Sequence, residues 1–143
     1  MTVLTLPFNA FLGLQPATEP GRILRLPADG KYLNHLGTVH ASALLALAEA
    51  TSGEFLLRHA GSAEGLLPVV RRLESKFRKP ARGAVTSSAT AAPEALALLG
   101  PELAAKGRAL LSVTVELHDE SGTHVFSATI EWFLQRLASD AKS

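Results

Sequence analysis

The sequence predicts an α+β fold in which one long helix lies against a curved antiparallel sheet. First, residues 38–59 form one long helical segment that is apolar on nearly every side, so the rest of the chain must surround it. Second, the spacing of the apolar residues changes after this helix from a period of 3.6 to a period of 2, which is typical of strands. Third, a short helix and one strand precede the long helix, and four strands follow it.

The composition indicates a single globular domain. With 143 residues the chain is long enough for one hydrophobic core, and we expect one domain over residues 1–143. Apolar residues make up 47% of the chain and charged residues 19%, which are ordinary values for a soluble protein. The net charge of +1 argues against nucleic acid or an anionic membrane as the main partner. Because the chain has no cysteine, disulfides, thiolate metal sites and a cysteine nucleophile are excluded.

Neither a signal peptide nor a membrane span is predicted. The first residues lack the basic start and the small-residue cleavage site of a signal peptide. The most apolar stretch, residues 41–57, is interrupted well short of the ~18 apolar residues that a membrane span needs. We therefore expect a cytoplasmic protein.

The N-terminal segment, residues 1–16, is predicted to contain a short helix. Pro7 stands at a tolerated first-turn position. At helical spacing, Phe8, Phe11 and Leu12 share one face.

A strand and a turn are predicted between the two helices. Residues 21–27 are typical of a strand that ends at a proline, and residues 28–32 are typical of a turn. Thr38 is the expected N-cap of the long helix, and Gly61 marks its end.

The segment after the long helix predicts strands whose apolar residues alternate with polar ones. Leu111, Val113 and Val115 are examples of this alternation. We expect a short helical or irregular crossover at residues 93–107 and a frayed tail at residues 137–143. The four predicted strands are residues 66–81, 83–92, 107–119 and 123–136.

The predicted sheet leaves two edges unpaired and covers only one side of the long helix. We expect the first and the last strand to form these edges. Pairing with a second copy would close them, so the sequence predicts a homodimer.

One residue of the long helix is out of place. From residue 41 to residue 50 the helix is alanine and leucine apart from Ser42 and Glu49. Burying a carboxylate is costly unless the group finds a partner or takes up a proton. Glu49 is therefore either a structural acid, paired with an arginine or with backbone donors at a subunit interface, or a functional one. As a functional acid it would be a general base or nucleophile whose pKa is set by its apolar surroundings.

Polar residues gather just before the long helix. Asn34, His35 and His40 precede it, with Gly37 between them. Free backbone N–H groups and the positive dipole end at a helix start favour a developing negative charge. If an acyl carbonyl bound there, the N–H of Ala41 and its neighbours would stabilise the oxyanion, and Asn34 would orient a water or polarise the carbonyl. Alternatively, either histidine is a capping or surface residue.

No metal site is predicted. The five histidines are scattered, without a His-x-x-x-His or Glu-x-x-His pair. We expect His118 and His124, which flank a hairpin turn, to be solvated.

Six of the fourteen basic residues lie within twelve positions. They form either a solvated strand face that discourages edge pairing or a binding patch for phosphates. Nucleic acid is the weakest explanation, because no aromatic residues are interleaved and the rest of the chain is not basic. The six residues are Arg71, Arg72, Lys76, Arg78, Lys79 and Arg82.

A motif around the start of the long helix resembles the hotdog-fold thioesterases. It reads N-x-x-G-T-V-H at residues 34–40 and is followed by a helix of small residues with an acid nine positions after the histidine. The resemblance is greatest to the PaaI-type acyl-CoA thioesterases and to related hotdog families of unassigned function. Further on, "SKFRKPARGAV" at residues 75–85 is similar to that family's pattern of an aromatic residue, two further residues, Pro-Ala, a basic residue and Gly. The resemblance covers residues 32–135.

This resemblance implies a long helix wrapped by an antiparallel sheet, and a homodimer, often paired again into a tetramer, with two active sites at the subunit interface. In relatives the acid that matches Glu49 acts as general base or nucleophile on an acyl-CoA thioester held near the other subunit's loop. The residue that matches Asn34 helps to place the nucleophile or substrate, and the backbone N–H that matches Ala41 is the oxyanion donor. No metal or cofactor is implied, because coenzyme A is part of the substrate.

The resemblance and the residue chemistry together predict one set of site residues. Basic side chains meet the coenzyme A phosphates in relatives, which assigns the cations at the end of the predicted strand 66–81 and just after it to the substrate. The predicted catalytic residues are Glu49, Asn34, His40 and Ala41, and the predicted substrate-binding residues are Gly37, Phe77, Arg78, Lys79 and Arg82.

Two positions depart from the family's pattern. The family commonly has Gly-Gly after the histidine, where this chain has Ala41-Ser42. A backbone donor survives any residue but proline, and the extra side-chain atoms would narrow the acyl pocket. Where some relatives have Ser or Thr before Pro-Ala, this chain has Lys79, so a supporting polar contact to the substrate would be missing and the specificity would differ.

Two other functions stay open on the sequence. A hotdog hydratase or dehydratase would pair His35 with Glu49, but the proline-rich loop and the D-x-N-P-x-H pattern of those enzymes are absent. A non-catalytic hotdog protein that binds an acyl-CoA or lipid would keep the fold without the chemistry. An apolar acyl pocket is indicated by the residues expected nearest the site, Leu44, Leu45, Ser52, Phe55 and Phe77.

Overall fold

In the computed structural model, which describes residues 2–61 and 64–137, one long helix lies against a six-stranded antiparallel sheet. This confirms the predicted α+β architecture. The sheet order is β1-β2-β4-β5-β6-β3, and 3₁₀ turns cover Val3–Thr5 and Gly30–Tyr32. The helices are α1 (Pro7–Leu12), α2 (Ala41–His59) and α3 (Pro93–Lys106), and the strands are β1 (Gln15–Pro16), β2 (Leu24–Leu26), β3 (Leu66–Phe77), β4 (Val85–Thr90), β5 (Arg108–Asp119) and β6 (His124–Arg136).

The long helix α2 begins three residues later than the sequence predicts. Its N-cap is His40, whose ring nitrogen Nδ1 accepts a hydrogen bond from the second N–H of the helix at 2.9 Å. The prediction that Thr38 is the N-cap is wrong, because its hydroxyl accepts a hydrogen bond from the Asn34 amide instead. The helix ends at His59, and Gly61 follows in the left-handed conformation that is typical of a helix end.

The four strands predicted after α2 are all present, and β5 and β6 each begin one residue later than predicted. β3 ends at residue 77 rather than 81, and β4 covers residues 85–90 rather than 83–92. The predicted alternation is confirmed in β5, where Leu111, Val113 and Val115 are at most 1% exposed. The crossover forms α3, a helix that accommodates Pro101 in its interior.

The face of α2 that packs on the sheet is buried and its polar groups are satisfied. Thr51 Oγ1 lies 2.6 Å from Ser87 Oγ and also donates toward a backbone carbonyl one turn earlier at 2.7 Å. Ser87 Oγ in turn accepts from the N–H of Leu24 at 3.1 Å. One position further along α2, Trp132 Nε1 donates to Ser52 Oγ at 2.9 Å. Since buried polar groups are tolerated only when paired, these contacts fix α2 in one position on the sheet.

The prediction that the first and the last strand form the sheet edges is wrong. The predicted first strand is β2, which lies between β1 and β4. β6 lies inside the sheet between β5 and β3. The alternation of residues identifies strands but not their order, and the strand that follows α2 pairs with the last one. The edges are therefore β1, which is two residues long, and β3, which is twelve residues long.

The N-terminal helix is confirmed as α1, but its apolar face is not covered. Phe8 is 62% exposed and Phe11 is 77% exposed. The segment is anchored through other groups: the buried Asn9 amide donates to the carbonyl of Val3 at 3.0 Å, and Glu54 of α2 accepts from the N–H of Val3 at 3.0 Å.

The structure describes the first residue of the predicted frayed tail, and it also bears on the prediction that the chain has no membrane span. Leu137 donates its N–H to the carbonyl of Gly65 at 2.7 Å, and residues 138–143 of the predicted tail lie outside the described residues. Within the described part of the chain, none of the helices is both long and apolar enough to cross a membrane.

Candidate active site

The start of α2 leaves one backbone donor free. The N–H of His40 donates to the carbonyl of Tyr32 at 2.7 Å, the N–H of Ser42 donates to the His40 ring, and the N–H of Ala43 donates to the His40 carbonyl at 3.0 Å. Among the described residues, the N–H of Ala41 has no acceptor. It points along the helix axis at the positive end of the dipole, where an oxyanion is favoured.

The loop before α2 is held closed by Asn34. The Asn34 side-chain oxygen accepts from the N–H groups of Leu36 at 2.8 Å and Thr38 at 3.1 Å, while its amide nitrogen donates to the Thr38 hydroxyl at 2.9 Å. Gly37 makes this turn possible because it has a φ of +77°, which other residues rarely adopt. Both polar atoms of the Asn34 side chain are thus bonded within its own loop.

A cleft of about 310 Å³ opens between this loop, the start of α2 and the segment after β3. Five predicted site residues line it, and both of its charged side chains are cations. Arg78 is oriented by a hydrogen bond from its Nε to Ser127 Oγ at 3.1 Å. The lining residues are Asn34, Thr38, Val39, Ala41, Leu44, Phe77, Arg78, Lys79, Pro80 and Ala81.

The remaining predicted site residues lie outside this cleft. Gly37 lines a neighbouring pocket on the other side of its loop, and His40 lines a groove beneath α1. Arg82 is exposed, and its backbone N–H donates to the Asp119 carboxylate at 3.2 Å. Glu49 is eight positions along α2 from Ala41, about 12 Å at 1.5 Å per residue.

Glu49 is half-buried on the outward side of α2. Among the described residues its carboxylate has no hydrogen-bond or ion-pair partner. Burial raises the pKa of Glu49 above its ordinary value of 4.5, because removing water penalises the charged form. A desolvated and unpaired carboxylate is a stronger base than a solvated one, so the group is suited to accept a proton or to attack a carbonyl.

Three residues expected beside the acyl group, Leu45, Ser52 and Phe55, do not line the cleft. Ser52 is fully buried against Trp132, and Phe55 is 7% exposed and contacts the His59 ring at 4.1 Å between centroids. Both face the interior because α2 packs on the sheet along that side. Leu44 does line the cleft, as does Phe77.

The two histidines of the β5–β6 hairpin are not simply solvated as expected. His118 and His124 are half-buried and their rings stack at 4.9 Å between centroids. Arg22 lies 3.0 Å from the His118 ring, and Glu116 lies 2.5 Å from that of His124. Burial lowers the pKa of His118, and the nearby Arg22 and His124 lower it further. In residues 2–61 and 64–137 no three His, Asp or Glu side chains come together to hold a metal ion.

The sequence did not indicate a second feature beside α2, a groove of about 300 Å³ between α1 and α2. Phe8 and Leu12 form one side of it, and Ala43 and Ala46 the other. The only signal in the sequence was the shared face of α1, which is expected to pack inward in most proteins.

The long helix held by this sheet defines the class of the protein: the chain has the hotdog fold of the thioesterase superfamily. Within that class, the chain belongs to the family described as a domain of unknown function (DUF4442), whose model matches residues 18–134. Among curated proteins, none matches the chain by sequence.

Solved bacterial structures share this fold. PA5026 of Pseudomonas aeruginosa, described as a probable thioesterase of unknown function, is 30% identical, with a TM-score of 0.78 over 93% of this chain and 90% of that one. HI1161 of Haemophilus influenzae, described as a thioesterase, is 18% identical, with a TM-score of 0.70 over 98% and 90% of the two chains. BH2602 of Bacillus halodurans, crystallised with CoA, is 20% identical, with a TM-score of 0.62 over 78% and 69%.

Proposed function

We propose that this protein is an acyl-CoA thioesterase. The observation that carries the proposal is the free N–H of Ala41 at the start of α2, inside a cleft whose two charged side chains are Arg78 and Lys79. An unpaired Glu49 with a raised pKa lies on the outward side of the same helix. A donor for an oxyanion, a base and a cationic rim are the groups that hydrolysis of a phosphate-bearing thioester needs.

In the proposed reaction, the thioester carbonyl oxygen accepts a hydrogen bond from the N–H of Ala41. Glu49 takes a proton from water as the water oxygen adds to the carbonyl carbon. Collapse of the tetrahedral intermediate breaks the C–S bond, and the proton held by Glu49 passes to the sulfur, which leaves as the free thiol. Alternatively, Glu49 attacks the carbonyl directly and water then hydrolyses the resulting anhydride; the products are the same acid and thiol.

The proposed active form is a homodimer, since one chain keeps the two catalytic groups about 12 Å apart along α2. The inner face of β3 is uncovered, with Val70 38% exposed and Phe77 49% exposed, and its outer edge has no strand beside it in the described chain. A second copy on this edge would cover both the strand and the outward side of α2. Glu49 of one copy would then face the Ala41 N–H of the other. A tetramer built from two such dimers is part of the same proposal.

Arg78, Lys79 and Arg82 are proposed to bind the phosphates of coenzyme A, with Phe77 as the apolar wall beside them. Arg78 and Lys79 already line the cleft, and Arg82 lies just beyond it. Asn34 is proposed to act by holding the loop that shapes the cleft, because both atoms of its amide are bonded there. We propose that the reaction needs no metal and no cofactor, and that the enzyme works in the cytoplasm.

One observation favours a second candidate, a non-catalytic acyl-CoA-binding protein. The Asn34 amide is bonded to Leu36 and Thr38, so it does not reach toward a water or a carbonyl. A binding protein would use the cleft and its cations without the base. This candidate predicts that Glu49 has no effect on function.

The deciding experiment measures free-thiol release from acetyl-, hexanoyl-, dodecanoyl-, palmitoyl- and phenylacetyl-CoA. We expect turnover of at least one substrate, and at least ~10²-fold less in Glu49→Gln, because a general base contributes about that much or more. Glu94→Gln is the matched control, since Glu94 is an exposed glutamate on α3. Binding of the acyl-CoAs without turnover by the wild-type protein would establish the binding protein instead.

A further inference from the structure

The groove between α1 and α2 is apolar and open to solvent. Its volume of about 300 Å³ is at the lower end of small-molecule sites, which measure ~300–1,000 Å³. Lys31 is its one charged lining residue apart from the ionisable ring of His40, and no carboxylate lines it. The lining residues are Phe8, Leu12, Lys31, Tyr32, Leu33, His40, Ser42, Ala43 and Ala46.

Small side chains on α2 leave this space empty. Ser42, Ala43 and Ala46 form the α2 side of the groove. A larger apolar residue at position 46 would reduce the space. The opposite side is α1, where Phe8 remains 62% exposed. Large exposed apolar surface is uncommon unless something binds it, so an uncovered phenylalanine beside an alanine-lined groove indicates an apolar ligand.

The α1 side of the groove is held in place. The buried Asn9 amide donates to the Val3 carbonyl, and the Tyr32 hydroxyl donates to the carbonyl of Leu12. α1 then ends at Gly13 in the left-handed conformation. These contacts use the Asn9 side chain and the Leu12 carbonyl, so neither of them involves the Phe8 side chain, which lines the groove.

The groove and the cationic cleft meet at the first residues of α2. His40 and Ser42 line the groove, whereas Ala41, between them, lines the cleft. On a helix with 3.6 residues per turn, successive side chains point about 100° apart, so the cleft and the groove lie on adjacent sides of the helix start that carries the N–H of Ala41. A thioester carbonyl bound to that N–H would have one arm directed to Arg78 and Lys79 and the other directed into the groove.

We propose that the groove between α1 and α2 binds the acyl chain of the substrate, and that this chain is a medium or long aliphatic one. This inference rests on the proposed function, whose site supplies the thioester carbonyl. A short acyl group would end at the start of α2, whereas a longer chain would reach the alanine-lined surface beneath Phe8. Position 46 and Phe8 then determine the chain length that is preferred.

The test compares Ala46→Leu with the wild-type protein, using the ratio of kcat/KM for dodecanoyl-CoA to that for acetyl-CoA. We expect the ratio to fall by at least about tenfold, because methylenes kept out of an apolar site lose their binding. Ala105→Leu is the matched control on the exposed side of α3 and should leave the ratio unchanged. Phe8→Ala, which removes the ring on the other side of the groove, should also lower the ratio. It provides a second test in case Ala46→Leu does not fold.

Separate outcomes distinguish failure of the groove from failure of the thioesterase proposal. An unchanged ratio in both Ala46→Leu and Phe8→Ala, with Glu49→Gln inactive, overturns the groove but leaves the thioesterase. If the wild-type protein hydrolyses none of the acyl-CoAs, calorimetry of dodecanoyl-CoA binding still tests whether the groove binds the acyl chain. Weaker binding by Ala46→Leu than by the wild type supports this role of the groove, and equal binding overturns it. A change of sedimentation mass in Phe8→Ala, with an unchanged ratio, would mean that a second copy covers the groove.

Discussion

The polar groups on the two sides of α2 differ in whether they have a partner. On the side against the sheet every buried polar group is paired: Thr51 with Ser87, and Ser52 with Trp132. On the outward side the Ala41 N–H and the Glu49 carboxylate have no partner within the described residues. Polar groups in an apolar helix therefore stabilise the fold where they are paired, and mark a candidate site where they are not.

The largest expected effect comes from removing the Ala41 N–H without changing the helix. Ala41→Pro places proline at the first helical position, which it favours, and His40 before it already has φ −62° and ψ 140°, as a residue before proline requires. We expect kcat to fall by about 10²–10³-fold, the usual cost of one oxyanion donor, with Tm close to wild type. Thiol release and thermal unfolding are the measurements.

Ala41→Gly is the matched control for this change, because it keeps the N–H and should keep most of the turnover. Equal activity of Ala41→Pro and Ala41→Gly would show that the N–H of Ala41 is not the oxyanion donor.

A smaller effect, on stability rather than on turnover, is expected from a substitution on the side of α2 that packs against the sheet. Thr51→Val keeps the shape of the side chain but removes the hydroxyl that contacts Ser87, so the free energy of unfolding should fall by about 1–2 kcal/mol. Turnover by the folded protein should change little. Urea unfolding checks the stability, with Thr129→Val on the exposed face of β6 as control. A loss of turnover larger than the loss of folded protein would contradict the separation of the two sides.

The smallest effect concerns the pH dependence of stability. Burial raises the pKa of Glu49 above 4.5, so the native state binds its proton more tightly than the unfolded chain does. Between 4.5 and the raised pKa the native state therefore carries more protons, and the free energy of unfolding falls as the pH rises. Relative to Glu49→Gln, the wild-type Tm should decline over that interval and then level off.

The test measures the Tm of the wild-type protein and of Glu49→Gln from about pH 4, near the ordinary pKa of a glutamate, to about pH 8. A wild-type protein that gains stability over Glu49→Gln with rising pH would show that a cation pairs with Glu49.

Features that depend on neighbouring residues were predicted correctly from the sequence. The alternation in β5 and β6, the long apolar helix and the unusual Glu49 all depend on residues near one another in the chain. The free N–H of Ala41 was expected as well, since a helix start always leaves backbone donors. The helix start itself was misplaced by three residues, because Thr38 and His40 are both possible caps and only the bond from Asn34 to Thr38 decides between them.

Contacts between residues that are distant in the sequence could not be predicted from it. Period-2 patterns do not state which strands are neighbours, so the edge was assigned to the last strand when it is β3. The exposure of Phe8 depends on Asn9 and Glu54 holding the N-terminal segment from other sides. The groove beneath α1 follows from that placement.

The helix, the strands and the chemical character of the candidate groups follow from the sequence, because periodicity and residue type act over a few neighbouring positions. Which of those groups stay unpaired depends on the tertiary structure, since their partners lie tens of residues away. It placed Asn34, Ala41, Phe77, Arg78 and Lys79 around one cleft and left Glu49 apart from them on the same helix. The physical reason is that packing one side of α2 on the sheet leaves its other side uncovered.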